Sequence, residues 1–280
     1  MTAVVWTCPS CRCNCESPFC AQCGEEPLAA RDLTLRGLAE KALHAITSID
    51  ARVARTAWRL LRYPGRLTVD WATGIRRPYV APFQLFLVAN VLFFTLQWLT
   101  RETVFSSSLQ SHMHQQDWSE LARGLVDWRL DAEHMSLEQF APVFDRAVVL
   151  NAKSLIFLMA GAFMLLLPVA FWRERRPFMT HVTFALHLYT FLLLLFCAAL
   201  LAAKASSALG YGGLDAPRVD NVLSVANLVL CTLYLYLAIG PVYDARGLQR
   251  VATAFLLAIG VAAIVLGYRF VIFVITLYAT

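Results

Sequence analysis

Charge is what this sequence has least of. Asp, Glu, Lys and Arg supply 15% of its 280 residues, where soluble domains carry about a quarter. The shortage argues against an ordinary soluble chain. The charge that is present is segregated: it lies mostly before residue 80, between 100 and 150, and in short bursts between apolar runs. Lysine occurs only at Lys41, Lys153 and Lys204, an arginine bias that points to GC-rich bacterial coding. Also missing is an n-region followed by an apolar h-region. No cleavable leader is therefore expected, and the first apolar run, near residue 83, is expected to act as an uncleaved signal-anchor. There is no GxSxG elbow, Walker glycine loop or HExxH pair. Nucleophilic, nucleotide-hydrolysing and zincin chemistry thus lack their motifs. No catalytic and no organic-cofactor residue is nominated.

Apolar residues are plentiful, at 59%, with a mean hydropathy of +0.58. They gather into five runs, near 83–99, 153–172, 181–203, 220–240 and 251–279. The first four hold about 17–23 residues each, enough to cross a hydrocarbon core of about 30 Å at 1.5 Å per residue. The last is interrupted by Arg269. It reads either as one tilted helix with Arg269 snorkelling, or as a shorter span followed by an interfacial tail. The predicted class is an all-α polytopic membrane protein of about five transmembrane helices with a small N-terminal zinc ribbon. Its predicted divisions are a ribbon at 1–27, a cytosolic amphipathic basic helix and linker at 28–82, and a five-helix membrane domain at 83–280 with an external loop at 100–152.

Counting Lys and Arg orients the chain. Residues 1–82, 173–180 and 241–250 carry eleven, three and two, while 100–153 and 204–219 carry five and two. Positive residues favour the inside, so the N-terminus is expected in the cytoplasm of a bacterium, with the bundle in its inner membrane. Within 31–62, Leu35, Leu38, Ala42, Ile46, Ile49, Val53, Ala57 and Leu60 fall at helical spacing, and Pro64-Gly65 stops the helix. In the external loop, Leu121, Leu125 and Trp128 mark a short amphipathic turn. Ser136 with Gln139 forms a capping-box pattern opening a helix that tolerates Pro142 early.

Cysteine is concentrated at the N-terminus. Cys8-x2-Cys11 and Cys20-x2-Cys23 are two CxxC knuckles. Each pair presents two thiolates to one metal, and two pairs complete a tetrahedral sulfur shell, so structural Zn²⁺ is the expected cofactor, held by Cys8, Cys11, Cys20 and Cys23. Cys13 and Cys15 offer alternative ligands for the first knuckle. A shell filled by protein leaves no open position for chemistry. The reducing cytosol suits such a thiol-rich module. A ribbon can also bind nucleic acid, but this one carries only Arg12 against three acids, which disfavours it. A protein partner is the better expectation.

Three ordered features carry a family resemblance: the double CxxC with Phe19 before its third cysteine; LeuArgTyrProGlyArg at 61–66 with GlyIleArgArgProTyrValAlaPro at 74–82; and HisValThrPheAlaLeuHis at 181–187. Together they resemble a bacterial membrane family catalogued as domain of unknown function 3667. The resemblance implies an inner-membrane protein with a ribbon-type N-terminus, and no activity. That family usually has glycine after the first knuckle, where this chain has Arg12.

The arginines from Arg52 to Arg77 abut the first span and are expected to meet anionic lipid headgroups. A sharper reading has Arg76, Arg77 and Tyr79 converging with His181 and His187 on one cytosolic-side polar site. It would serve a lipid-handling transporter or membrane-embedded transferase. The plainer reading makes His181 and His187 neutral residues bonded across helices, and makes Asn90 and Asn227 interhelical amides. His112, His114 and Asp117 form a weak metal-type set in the external loop. The leading expectation is a non-enzymatic, membrane-anchored binding, sensing or scaffold protein.

Overall fold

A computed structural model describes residues 6–8, 12–17, 19–22, 51–76, 78–100, 107–114, 116, 118–214 and 216–280. The chain divides into two units, Met1–Arg52 and Val53–Thr280. In the first, strands β1 (Trp6–Thr7) and β2 (Asn14–Cys15) pair antiparallel, with Trp6 opposite Cys15 and Thr7 opposite Asn14. The expected helix over 31–62 falls partly outside the described residues. Its end, 51–62, is helical and is here α1.

The second unit is all α. After α1 come α2 (Arg66–Ala72), α3 (Pro82–Thr100), α4 (Leu109–His114), α5 (Ser119–Glu133) and α6 (Leu137–Leu155). Then follow α7 (Phe157–Ala170), α8 (Phe178–Ala208), α9 (Pro217–Tyr243) and α10 (Gly247–Ala279). Four of these, α3, α8, α9 and α10, are long and apolar enough to cross a membrane, which makes the chain a multi-pass membrane protein. The expected second span at 153–172 is not one straight helix. α7 has 14 residues, fewer than a crossing needs. It becomes a fifth span only when joined to α6, from which it bends by 47°. Near the joint the Tyr268 hydroxyl donates to the Ala152 carbonyl at 2.5 Å, and a side chain entering the helical ladder is one identifiable cause of a bend.

α8 is the hub. It packs against α2, α3, α7 and α9 and is apolar around its circumference, as a helix buried on all sides must be. The exceptions are His181 and a buried stripe of Thr180, Thr183, His187 and Thr190; the spacing of those four keeps them on one face. α3 turns Leu85, Phe86, Ala89 and Phe93 inward. α10 lies along α9, α6 and α7 and is one continuous helix of 33 residues, so no separate interfacial tail follows Arg269.

Two joints show how local chemistry sets the packing. Gly65, with φ +80, turns the chain from α1 into α2; a Cβ there would lie 2.4 Å from the Ala238 carbonyl of α9. Pro241 lacks an N–H, so the Leu237 carbonyl of α9 loses its helical partner. Arg250 of α10 replaces it: Nη2 donates to Leu237 O at 3.2 Å and Nε to Tyr236 O at 2.6 Å.

The expected external loop is largely helical. Ser136 and Gln139 form the capping box, and Pro142 is accommodated within α6. In α5 the buried face carries Ala122 and Val126, while Leu121 and Trp128 lie outside. α4 begins with the Leu109 N–H donating to Asp145 of α6 at 2.8 Å. His112 of α4 is buried against Phe273 of α10, with ring centroids 4.8 Å apart. Arg269 turns toward this cap, donating to Ser107 Oγ at 2.7 Å.

Candidate functional sites: a thiol cluster and a polar helix junction

The N-terminal hairpin exists to bring cysteines together, since a segment this short has no apolar core of its own. Cys8, Cys15 and Cys20 form one buried cluster, with Trp6 and Cys13 packed against it. The tip of the hairpin is closed by two backbone bonds: Cys8 N–H donates to Cys13 O, and Arg12 N–H to Cys8 O, each at 2.9 Å. Arg12 takes φ +60, the left-handed conformation that glycine adopts without penalty. The glycine of the resembled family thus has a conformational reason. Trp6 Nε1 donates to Ser17 O at 2.8 Å, fastening the strand to the turn that follows.

Burial pushes the Cys15 thiol up to about 11, helped by its hydrogen bond with Cys20 and by the neighbouring sulfurs of Cys20, Cys8 and Cys13. Cys13 faces outward and donates to Gln22 Oε1 at 2.8 Å. Of the four nominated zinc ligands, Cys8 and Cys20 are in the cluster; Cys11 and Cys23 lie outside the described residues. Cys15, which CxxC spacing does not nominate, is buried beside them. Among the described residues no three His, Cys, Asp or Glu side chains are placed to hold a metal.

In the helical unit, the nominated polar residues meet at the end of the bundle where α1 and α2 lie, but around α2 rather than in one pocket. Thr68 Oγ1 shares a hydrogen bond of 2.8 Å with His187 Nδ1. Two residues on, Asp70 Oδ2 takes Arg59 Nη2 at 3.0 Å and the Tyr79 hydroxyl at 3.1 Å. On a helix, positions two apart point about 200° from each other. The arginine–aspartate–tyrosine group and the histidine therefore occupy opposite faces of α2. Burial and the bond to Asp70 raise the Tyr79 phenol above its ordinary range. The Val80 N–H donates to buried Thr56 Oγ1 at 3.0 Å, tying the loop back to α1.

His181 makes a separate contact. Its Nδ1 lies 2.9 Å from the Tyr243 hydroxyl, and the Tyr243 ring stacks on both Phe171 and His181. Arg176 pairs with Asp244 beside it. Each histidine thus joins α8 to another helix, α2 or α9. Arg76 lies exposed against Trp71, its guanidinium 5.4 Å from the ring, with Nε donating to Trp71 O. Arg77 lies outside the described residues. So does Asp117; His112 and His114, two apart on α4, point to different sides. Asn90 bonds within its own helix, Nδ2 donating to Phe86 O at 2.8 Å.

Sequence reasoning did not single out Thr68, Asp70 or Tyr243 as partners. Thr68 and Asp70 sit on a helix of 7 residues, too short for a hydropathy pattern. The polar residues of α8 at three- and four-residue spacing were the available sign of a buried polar seam.

A family model described as a protein of unknown function (DUF3667) matches residues 50–94, and so supports the resemblance over that segment. The match holds α1, α2 and much of α3, including Thr56, Gly65, Thr68, Asp70 and Tyr79. No curated protein and no solved structure matches the chain.

Proposed function

We propose that this is a bacterial inner-membrane protein whose helical bundle anchors an N-terminal structural zinc ribbon in the cytoplasm. The ribbon binds a partner or senses its surroundings at the membrane surface; it does not catalyse a reaction. The observation that carries this reading is the burial of Cys8, Cys15 and Cys20 together at the base of a hairpin. A cluster of uncharged thiols contributes little folding energy to so small a module, whereas a bound metal contributes most of what such modules have. Zn²⁺ reverses the upward push on the Cys15 thiol, because coordination deprotonates its ligands. The ligand set is Cys8, Cys11, Cys20 and Cys23, with Cys15 the substitute if one knuckle closes through the strand.

The orientation is supported by where the bundle gathers its arginines. Arg55, Arg62, Arg66, Arg76 and Arg176 lie at the α1–α2 end, all five exposed. Exposed Trp58, Leu61, Tyr63 and Ile75 are interleaved with them. This mixture suits an interfacial surface against anionic headgroups.

Zinc analysis of the purified full chain tests the proposal. One zinc per chain is expected, released by Cys8→Ser or Cys20→Ser with membrane insertion intact. Comparing Cys15→Ser with Cys11→Ser identifies the fourth ligand. A wild-type chain free of zinc after expression in zinc-replete medium, or a Cys8→Ser or Cys20→Ser variant that keeps it, would rule the ribbon out. Partner recovery lost with the zinc supports a recruiting role; recovery unchanged in the zinc-free variant removes it.

A further inference from the structure

α3 has a second face besides the one it buries on α8. Leu87, Asn90, Val91, Phe94, Thr95 and Trp98 recur at three- and four-residue spacing, so they form a continuous stripe along the helix. The stripe faces Lys153, Ile156 and Phe157 at the α6–α7 joint, and the two sides enclose a groove of about 460 Å³. The joint accounts for the gap. Two helices that change direction by 47° cannot both lie flush along a straight α3.

The groove is closed at one end and open at the other. Phe157 seals it near the start of α3, its ring 6.0 Å from Phe83 and 5.4 Å from Phe86. Trp98, 74% exposed, stands near the end of α3. From Leu87 to Trp98 the stripe covers twelve residues, about 16 Å of helix from the first Cα to the last. That is about the depth of one leaflet of a 30 Å hydrocarbon core. The Lys153 ammonium sits 5.9 Å from the Phe94 ring centroid, and among the described residues no acidic side chain pairs with it. Its flexible stem lets the charge reach toward the Trp98 end, the level at which interfacial aromatics and headgroups meet.

An apolar trough one leaflet deep, with a single unpaired cation beside its open half, matches an amphiphile carrying one anion on an apolar tail. We infer that the groove binds an anionic phospholipid from the leaflet at the Thr100 end of α3. One acyl chain lies along the Leu87–Trp98 stripe toward Phe157, and the headgroup phosphate pairs with Lys153. The site is independent of the N-terminal ribbon and of the arginines at the other end of the bundle.

Photolabelling of the full chain in phosphatidylcholine nanodiscs tests it, with a minor fraction of phosphatidylglycerol bearing a diazirine on its acyl chain. Labelling should concentrate on peptides holding residues 87–98 and 153–157. Lys153→Ala should lower that labelling about fivefold, the effect of removing one basic contact with an anionic lipid, while Lys153→Arg preserves it. Val91→Trp, which fills the trough from an exposed position, should remove it. Labelling spread evenly over the outward faces of α3, α9 and α10 would overturn the assignment. So would equal labelling by a diazirine phosphatidylcholine, or no response to Lys153→Ala in a variant with unchanged thermal stability.

Discussion

Replacing Gly65 with alanine puts the seat of α2 on α9 to a quantitative test. Two costs arise at that residue. Its φ of +80 is one that L side chains rarely adopt, at about 1–2 kcal/mol. A Cβ would also lie 2.4 Å from the Ala238 carbonyl and 2.9 Å from the Ala238 Cα. Both are backbone atoms, so relief requires moving α9, and overpacking of this kind costs about 1–3 kcal/mol more. Gly74 separates the two terms, because its φ is +94 but a Cβ there meets nothing within 4 Å. Gly74→Ala should lose only the conformational cost. Gly65→Ala should lose that and the steric cost, which lowers its midpoint by a further 2–12 °C or about that. The assay is thermal unfolding of a detergent-solubilised fluorescent fusion, read as monodisperse protein surviving each temperature. Equal losses in the two variants would refute the close approach of the α1–α2 turn to α9.

Three other outcomes follow from contacts across helices. Thr68→Val strips His187 Nδ1 of its hydroxyl partner and should cost about 1–3 kcal/mol, yet should cost much less in a His187→Phe background, where both polar groups are gone; additive thermal shifts would contradict the pairing. Arg250→Leu should destabilise by about 2–3 kcal/mol, and less when combined with Pro241→Ala, since alanine returns an N–H to the Leu237 carbonyl; a double-mutant cycle on melting temperature reads the coupling. His112 is held neutral: burial, and then nearby Arg269, lower its pKa from 6.5 to about 4. Between those values the unfolded chain takes up a proton that the folded one refuses. Stability is therefore full above pH 6.5, falls as pH drops toward 4 by up to about 3 kcal/mol, and levels off below. His112→Phe should flatten that part of a melting-temperature profile, and an unchanged slope would count against the buried neutral imidazole.

The long spans were legible because nothing but a bilayer or a buried hub calls for runs such as those of α8, α9 and α10. The capping box at Ser136 and Gln139 was legible for a local reason: two side chains and two backbone donors decide it. What hydropathy cannot carry is direction. It counts apolar length around residues 153–172 and cannot show that the chain bends at 154–156, where a hydroxyl from α10 reaches the α6 backbone. In the loop beyond α3 the sequence marked an amphipathic turn at Leu121, Leu125 and Trp128 and a helix from Ser136, but not that Trp118 and His112 find their apolar partners on α10. The nominated polar site fared unevenly for a similar reason. The histidines stood out as ionisable groups within a span, but a helix as short as α2 gave no hint that Thr68 and Asp70 would divide His187 from Tyr79. In the cysteine segment, CxxC spacing pointed to Cys8 and Cys20, while the register of a two-residue strand pair brought in Cys15.

The α6–α7 joint has a mechanical consequence. A straight helix presents a hydrophobic thickness fixed by its number of residues. Taken together as one crossing, α6 and α7 are two rods set at an angle of 47°, of which α7 by itself measures about 21 Å. The thickness this side of the protein offers to the membrane is thus governed by a hinge angle. A thicker bilayer favours a straighter joint and a thinner one a sharper bend, so this flank can follow changes in membrane thickness that α8, α9 and α10 can meet only by tilting.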